Sequence, residues 1–238
     1  MTTGHITTAK KTDLSKLNGN ITFIIPCAGM ASRFKSVGAK ALIQLTNEET
    51  LLERQVRILR ELYPGCQIIV VIGFQFQRFH QLKLPGVRFV FNPIYEDTNV
   101  AFSIGLGLQA SITDNVMVIY GDLVFNNAAV GIPYNNIGPT LFVGDTMGGD
   151  EVGLTFTGDI VDNMAFGLKP KWSQILYING KELELFRKSC YDEKHWKWLG
   201  YEIVNDVIDK GGIFRYYRPE ASLVYEIDSA EDLKGVRL

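Results

Sequence analysis

Three cysteines (Cys27, Cys66, Cys190) and three histidines (His5, His80, His195) are all the soft metal ligands this 238-residue chain has, and none falls in a zinc-binding spacing. The odd, dispersed cysteines read as reduced thiols of a cytoplasmic protein, not as a disulfide framework. Basic residues number 24 against 26 acidic ones. No positive excess is left to neutralise a phosphate backbone, which argues against nucleic acid as a partner. No run is long and apolar enough to cross a bilayer, which argues against a membrane partner. Residues 1–20 are polar and rich in Thr and Lys, without the apolar stretch of a signal peptide, and are expected to form a loosely ordered arm. The two commonest phosphate signatures are also missing. No Gly-Lys-Ser/Thr closes a Walker loop, and there is no Gly-x-Gly-x-x-Gly.

What remains is the composition of a folded domain, 46% hydrophobic and 21% charged, at a length that buries a sizeable core. Residues 21–238 are expected to form one domain. Its first half alternates strand and helix: strands at Ile21–Pro26, Gln67–Gly73, Val87–Phe91 and Val116–Tyr120, with helices at Leu52–Leu62, Phe74–Leu84 and Val100–Ser111. Strands that are apolar throughout, separated by helices, predict an α/β fold with a mostly parallel sheet covered on both faces. The second half predicts strands at Thr140–Val143, Gly153–Thr157, Ile175–Ile178, Ile213–Tyr217 and Leu223–Ile227, with helices at Lys181–Lys188 and Trp196–Asp209. These extend the sheet into a mixed one flanked by helices. The boundary between a nucleotide half and an acceptor half is placed at Gly144.

The first strand ends abruptly in a loop of small residues, Cys27-Ala28-Gly29-Met30-Ala31-Ser32-Arg33, with Lys40 following. Small side chains let backbone N–H groups approach a phosphate, and Arg33 and Lys40 supply positive charge. The plain alternative is a loop whose two cations are solvated. Cys27 reads as a packing residue, not a nucleophile. The loop must lie beyond the carboxyl ends of the strands, where such sheets bind ligands. Two further strands each deliver a carboxylate: Val116–Tyr120 leads to Gly121-Asp122, and Leu223–Ile227 leads to Asp228. A charge at the mouth of a buried strand is costly unless paired or metal-bound. Alternatively, Asp122 caps a turn, and Asp228 or Ser229 caps a last helix with Asp232 as its partner.

The segment Ile21–Leu45 resembles the N-terminal signature of the nucleotidyltransferase superfamily, with Gly29, Ser32, Arg33, Lys40 and Leu42 on the motif. Ala31 stands where the second loop glycine usually is, and the Arg33-to-Lys40 spacing is short. Asn92-Pro93-Ile94-Tyr95 through Thr98-Asn99, with Ser103, is similar to a segment of phosphocholine cytidylyltransferases and their sugar-phosphate relatives; Leu52–Gln55 and Gly73-Phe74 match that branch too. The resemblance implies a Rossmann-like nucleotide-diphospho-sugar transferase fold. It implies an enzyme joining an NTP, CTP by preference, to phosphocholine or a sugar 1-phosphate, with release of pyrophosphate. By the same resemblance Asp122 and Asp228 hold Mg²⁺, and Arg33 and Lys40 are catalytic. Nucleotide contacts come from Ala28, Gly29, Met30, Ala31 and Ser32 in the loop, and from Gly73, Asn92, Thr98, Asn99 and Gly121 beyond it.

For the acceptor, Lys169 is a candidate phosphate ligand, with a solvated lysine as the alternative. All three tryptophans, Trp172, Trp196 and Trp198, fall in the second half. Aromatic faces hold a quaternary ammonium, so Trp172 is the candidate for a choline-like acceptor. The same rings could pack the core or a homodimer contact, and on a helix Trp196 and Trp198 would face different sides. Three other readings stay open. The short Arg33–Lys40 spacing suits a molybdopterin guanylyltransferase. A non-catalytic nucleotide-binding regulator would have no need of all four charged residues. A glycosyltransferase on the same fold would want Asp-x-Asp where Gly121-Asp122-Leu123-Val124 stands.

Overall fold

The computed structural model describes residues 20–30, 38–46, 49–132, 137–144, 151–228 and 232–235. Residues 1–19 of the expected N-terminal arm therefore lie outside the described residues, as do Ala31, Ser32 and Arg33. The first half runs β1 (Thr22–Cys27), α1 (Leu51–Leu62), β2 (Gln67–Ile72), α2 (Phe76–Phe79), β3 (Val87–Phe91), α3 (Val100–Ala110) and β4 (Asn115–Ile119). β1 pairs in parallel with β2 on one side and β4 on the other, and β2 pairs in parallel with β3. Alternate residues of these strands enter two apolar layers: Phe23, Ile25 and Ile68 pack on the α1 side, while Ile24, Ile69 and Val71 pack on the α3 side. Two-sided burial is why the strands read as unbroken apolar runs. Gly107 lets α3 settle on β1, since a Cβ there would meet the Ile24 side chain.

Helix starts follow local chemistry. Thr50 and Glu53 form a capping box on α1, with Thr50 N donating to Glu53 Oε2 at 2.8 Å and Glu53 N to Thr50 Oγ1 at 3.3 Å. Asn99 caps α3 through Val100 N at 2.8 Å. The helix expected over Phe74–Leu84 is only the single turn of α2. Gln75 ahead of it is left-handed (φ +55°), and turns bonded through the Phe79 and Leu82 carbonyls replace the helical ladder after it.

The second half runs β5 (Leu123–Phe125), α4 (Asn127–Val130), β6 (Thr140–Gly144), β7 (Val152–Thr157), β8 (Ile160–Phe166), β9 (Lys171–Asn179), α5 (Gly180–Tyr191), α6 (Gly200–Asp209), β10 (Arg215–Tyr217), β11 (Val224–Glu226) and α7 (Asp232–Gly235). The main sheet has the order β3-β2-β1-β4-β9-β6-β10-β8-β7, and β11 pairs with β5 apart from it. β9 is antiparallel to both β4 and β6, so the sheet is mixed, as expected. β8 has no counterpart in the sequence reading. It is the return strand of a hairpin with β7, around the left-handed Gly158. The helix expected over Trp196–Asp209 starts only at Gly200. The carbonyls of Trp196 and Trp198 accept from Asn99 N (2.7 Å) and Ala101 N (3.2 Å) at the head of α3, and Glu202 caps Leu199 N at 2.7 Å. Among the described residues no helix is long and apolar enough to cross a membrane.

Candidate active site

Strand order reverses at β1. The chain leaves it toward β2 and β3, then returns over α3 to β4 on its other side. Residues that follow the carboxyl ends of β1 and β4 line a cleft of about 610 Å³, the place where open α/β sheets bind ligands. Ala28 and Gly29 follow β1 into it, and Tyr120, Gly121 and Asp122 follow β4. A Cβ at Gly121 would fall on Cys27 Sγ and crowd the Pro26 carbonyl, so only glycine lets the two strand ends lie this close. Gln55, 1% exposed on α1, grips the turn: its Nε2 donates to the carbonyls of Tyr120 (3.0 Å) and Leu123 (2.7 Å), on either side of Asp122. The Cys27 thiol is buried, and burial with the Asp122 charge raises its pKa, so it stays a packing thiol.

Lys40, on a 3-10 turn over Lys40–Leu42, places Nζ 3.0 Å from Asp122 Oδ2 and 2.6 Å from Asp228 Oδ1. Burial opposes its charge, but the Asp122 charge and the hydrogen bonds to both carboxylates outweigh it and hold the ammonium protonated above its ordinary range. Asp228 is brought in by the β11–β5 pair, with Ile227 N donating to Asp122 O at 3.0 Å. Asp232 reaches back to accept from Asp228 N at 2.8 Å, the partnership foreseen for the last helix. Glu226 on β11 completes a trio: one oxygen from each of Asp122, Glu226 and Asp228 lies within 4.8 Å of the others. Burial, then the charges of Asp122 and Asp228, push the Glu226 carboxyl up to about 8. Sequence reasoning assigned Glu226 no role. Its spacing of two from Asp228 at a strand end is the signal that could have found it. Three carboxylate donors around a point now neutralised by an ammonium are a donor set that fits a hard divalent cation.

Thr98 and Asn99 line the cleft, as does Asn92, which is 1% exposed. The Asn92 amide donates to Thr98 Oγ1 (3.1 Å) and Ser103 Oγ (3.2 Å), and its oxygen accepts from Ile94 N (3.0 Å), so it also ties the turn before α3. Gly73 lies outside the cleft lining, pressed between Tyr95 and the Ala28 carbonyl where a Cβ has no room. Exposed Met30 is outside the lining as well. Lys169 is exposed and is not among the residues that line the cleft; the carbonyl of its neighbour Pro170 accepts from Leu154 N (3.1 Å).

Of the tryptophans, Trp172 alone among the described residues lines the cleft. It is 4% exposed, donates Nε1 to Ile175 O at 3.0 Å, and meets Tyr120 edge-on at 5.6 Å. Trp196 packs on Phe102 and Trp198 stacks on His195, both off the helix where they were expected. Phe166, Tyr201 and Glu151 also line the cleft, with the Phe166 and Tyr201 rings edge to face at 5.5 Å.

Residues 23–131 match the MobA-like NTP transferase domain family. Over 103 residues the chain is 35% identical to the bifunctional protein GlmU of Solibacter usitatus, covering 43% of this chain and 22% of that protein. Over 109 residues it is 32% identical to the choline-phosphate cytidylyltransferase of Streptococcus pneumoniae, covering 44% of this chain and 46% of that one. The chain thus spans less than half the length of these curated relatives. Among solved structures, CTP:phosphocholine cytidylyltransferase from Streptococcus pneumoniae superposes with a TM-score of 0.72 at 24% identity, over 90% of this chain and 96% of that one. Inositol-1-phosphate CTP transferase from T. maritima gives 0.70 at 17% identity, over 89% and 90%. The chain has the α/β fold of these nucleotidyltransferase structures, and within it residues 23–131 are similar to the MobA-like NTP transferase domain.

Proposed function

We propose that this chain is a Mg²⁺-dependent nucleotidyltransferase that joins an NTP, CTP by preference, to a small phosphorylated acceptor, phosphocholine or a sugar 1-phosphate. The observation that carries the reading is the meeting of Lys40, Asp122 and Asp228 in a cleft at the switch point of the sheet. An acceptor phosphate oxygen forms a bond to the α-phosphorus while the bond from that phosphorus to pyrophosphate breaks, in line. The attacking oxygen is already anionic, so no protein base is required; the barrier lies in bringing anions together and holding them aligned. Asp122, Asp228 and Glu226 would hold the ion. When bound there it supplies neutralisation of the triphosphate and polarisation of the α-phosphoryl group. Lys40 is placed to turn from the carboxylates to the two phosphates as they meet. Arg33 is proposed to neutralise the β- and γ-phosphates, and Ala28 and Gly29 to offer backbone at the cleft floor.

Phosphocholine is favoured as acceptor by Trp172, Tyr201, Phe166 and Glu151 in the cleft lining, aromatic faces and a carboxylate suited to a quaternary ammonium. The choline-phosphate cytidylyltransferase activity of Streptococcus pneumoniae, named in both a sequence match and a structural match, points the same way. The test is pyrophosphate release across four NTPs against phosphocholine and a panel of sugar 1-phosphates. Fastest turnover is expected with CTP and phosphocholine. Trp172→Ala is expected to raise the phosphocholine KM with little change in the CTP KM. A lost cation–π contact of about 0.5–2 kcal/mol corresponds to a factor of about 2–30. Good turnover of a sugar 1-phosphate with none of phosphocholine would remove the cage.

A second reading, guanylyl transfer to a molybdopterin, is favoured by the MobA-like match. GTP as the sole productive nucleotide would establish it over the first. Nucleotide binding without pyrophosphate release from any acceptor would instead leave a regulatory protein.

A further inference from the structure

Gln174 occupies a place in β9 that a regular strand would deny it. Trp172, Leu176 and Ile178 pack in the α3-side apolar layer, and Ile175 and Tyr177 in the α1-side layer. By this alternation the Gln174 amide belongs among the apolar side chains of the first set. The backbone prevents that. Gln174 is left-handed, with φ +57°. Opposite it, the β6–β9 register steps from Leu141↔Leu176 to Val143↔Trp172, so four residues of β9 are spent against two of β6. The bulge turns the side chain into the cleft, where Nε2 donates to Glu226 Oε2 at 2.6 Å. Its carbonyl remains in the sheet, accepting from Tyr120 N at 3.4 Å, two residues before Asp122.

We propose that Gln174 is a positioning residue for the carboxylate trio. Its amide fixes the Glu226 carboxylate beside Asp122 and Asp228, and the left-handed bulge exists to deliver that amide. The inference rests on the reading that the trio holds a divalent ion. A left-handed position is one glycine occupies without strain, so a long side chain kept there has to be explained by what its far end does. Among the described residues that end donates to a carboxylate oxygen of the trio. Partners that orient metal ligands typically change affinity by about 10–100-fold when removed.

Gln174→Gly separates the two roles, because it suits the backbone and deletes the amide. Mn²⁺ titration of the full chain, followed by loss of the free-ion electron paramagnetic resonance signal, is expected to show at least about tenfold weaker binding. The melting temperature of the same variant should equal or exceed that of wild type. In a Glu226→Gln background, Gln174→Gly should weaken Mn²⁺ no further, since the group it acts through is gone. Wild-type Mn²⁺ affinity in Gln174→Gly, whatever its melting temperature, would overturn the proposal, as would an equal loss in both backgrounds. Absence of Mn²⁺ binding by the wild-type chain would instead overturn the metal reading beneath it.

Discussion

Asp122→Asn is expected to lose at least about a hundredfold in the rate of pyrophosphate release while the chain stays folded. Asparagine keeps the shape of the side chain and removes the charge. The turn that carries it does not depend on that charge: Gln55 grips the carbonyls of Tyr120 and Leu123, and Ile227 N holds the Asp122 carbonyl. Lys40 also keeps Asp228 as a partner at 2.6 Å, so no cation is stranded. The melting temperature should therefore stay within about 4 °C of wild type. The chemistry has no such reserve. Removing a single preorganised group that stabilises transition-state charge typically costs about 10²–10³ in rate, and a metal ligand at the triphosphate should do no less. Asp228→Asn, on a more exposed side chain, is expected to act in the same direction. Near-wild-type pyrophosphate release by pure Asp122→Asn would remove that residue from the metal assignment.

Lys40→Met should have two effects of opposite sign. The ammonium lies 3.0 Å from one carboxylate and 2.6 Å from the other, in the space between the prospective ligands. A divalent ion entering there must displace it or be repelled by it. Two unit charges about 4 Å apart interact by about 4 kcal/mol at the effective dielectric of a protein surface, and a divalent ion feels more. Even after screening, Mn²⁺ binding in the absence of nucleotide should tighten by about tenfold or more in the variant. Turnover should fall at the same time by about 10² or more, because the same ammonium is lost from the point where two phosphate groups converge. Arg33→Ala should differ, raising the nucleotide KM more than it lowers kcat. A Lys40→Met chain that binds Mn²⁺ no tighter and turns over at the wild-type rate would make Lys40 a bystander ion pair.

Much of this site lay open in the one-dimensional record, for identifiable reasons. β1, β2 and β4 are covered on both faces, so each is a continuous apolar run ended by small or charged residues, and Asp122 stands out at such an end. The capping of α1 and α3 depends on residues within three positions of one another, so the helix starts were readable as well. β8 was not. Only Val161 and Met164 are buried on it, three apart, because an edge hairpin packs through few of its side chains. The delayed start of α6 was equally hidden, since the carbonyls of Trp196 and Trp198 are claimed by α3, about a hundred positions away along the chain.

The order of residues by itself determined the α/β class and the strand ends that lead to Asp122 and Asp228, because each follows from periodicity or from the cost of a charge beside a buried strand. Tertiary structure alone decided that Lys40 bridges those two carboxylates across 82 and 188 positions of sequence. It alone made Glu226 the third member, took Lys169 and Gly73 out of the cleft wall, and turned Gln174 against the alternation of its own strand. Local pattern records which groups need a partner. Which partner each one meets depends on the order in which strands are laid into the sheet, and that is a property of the whole packed chain.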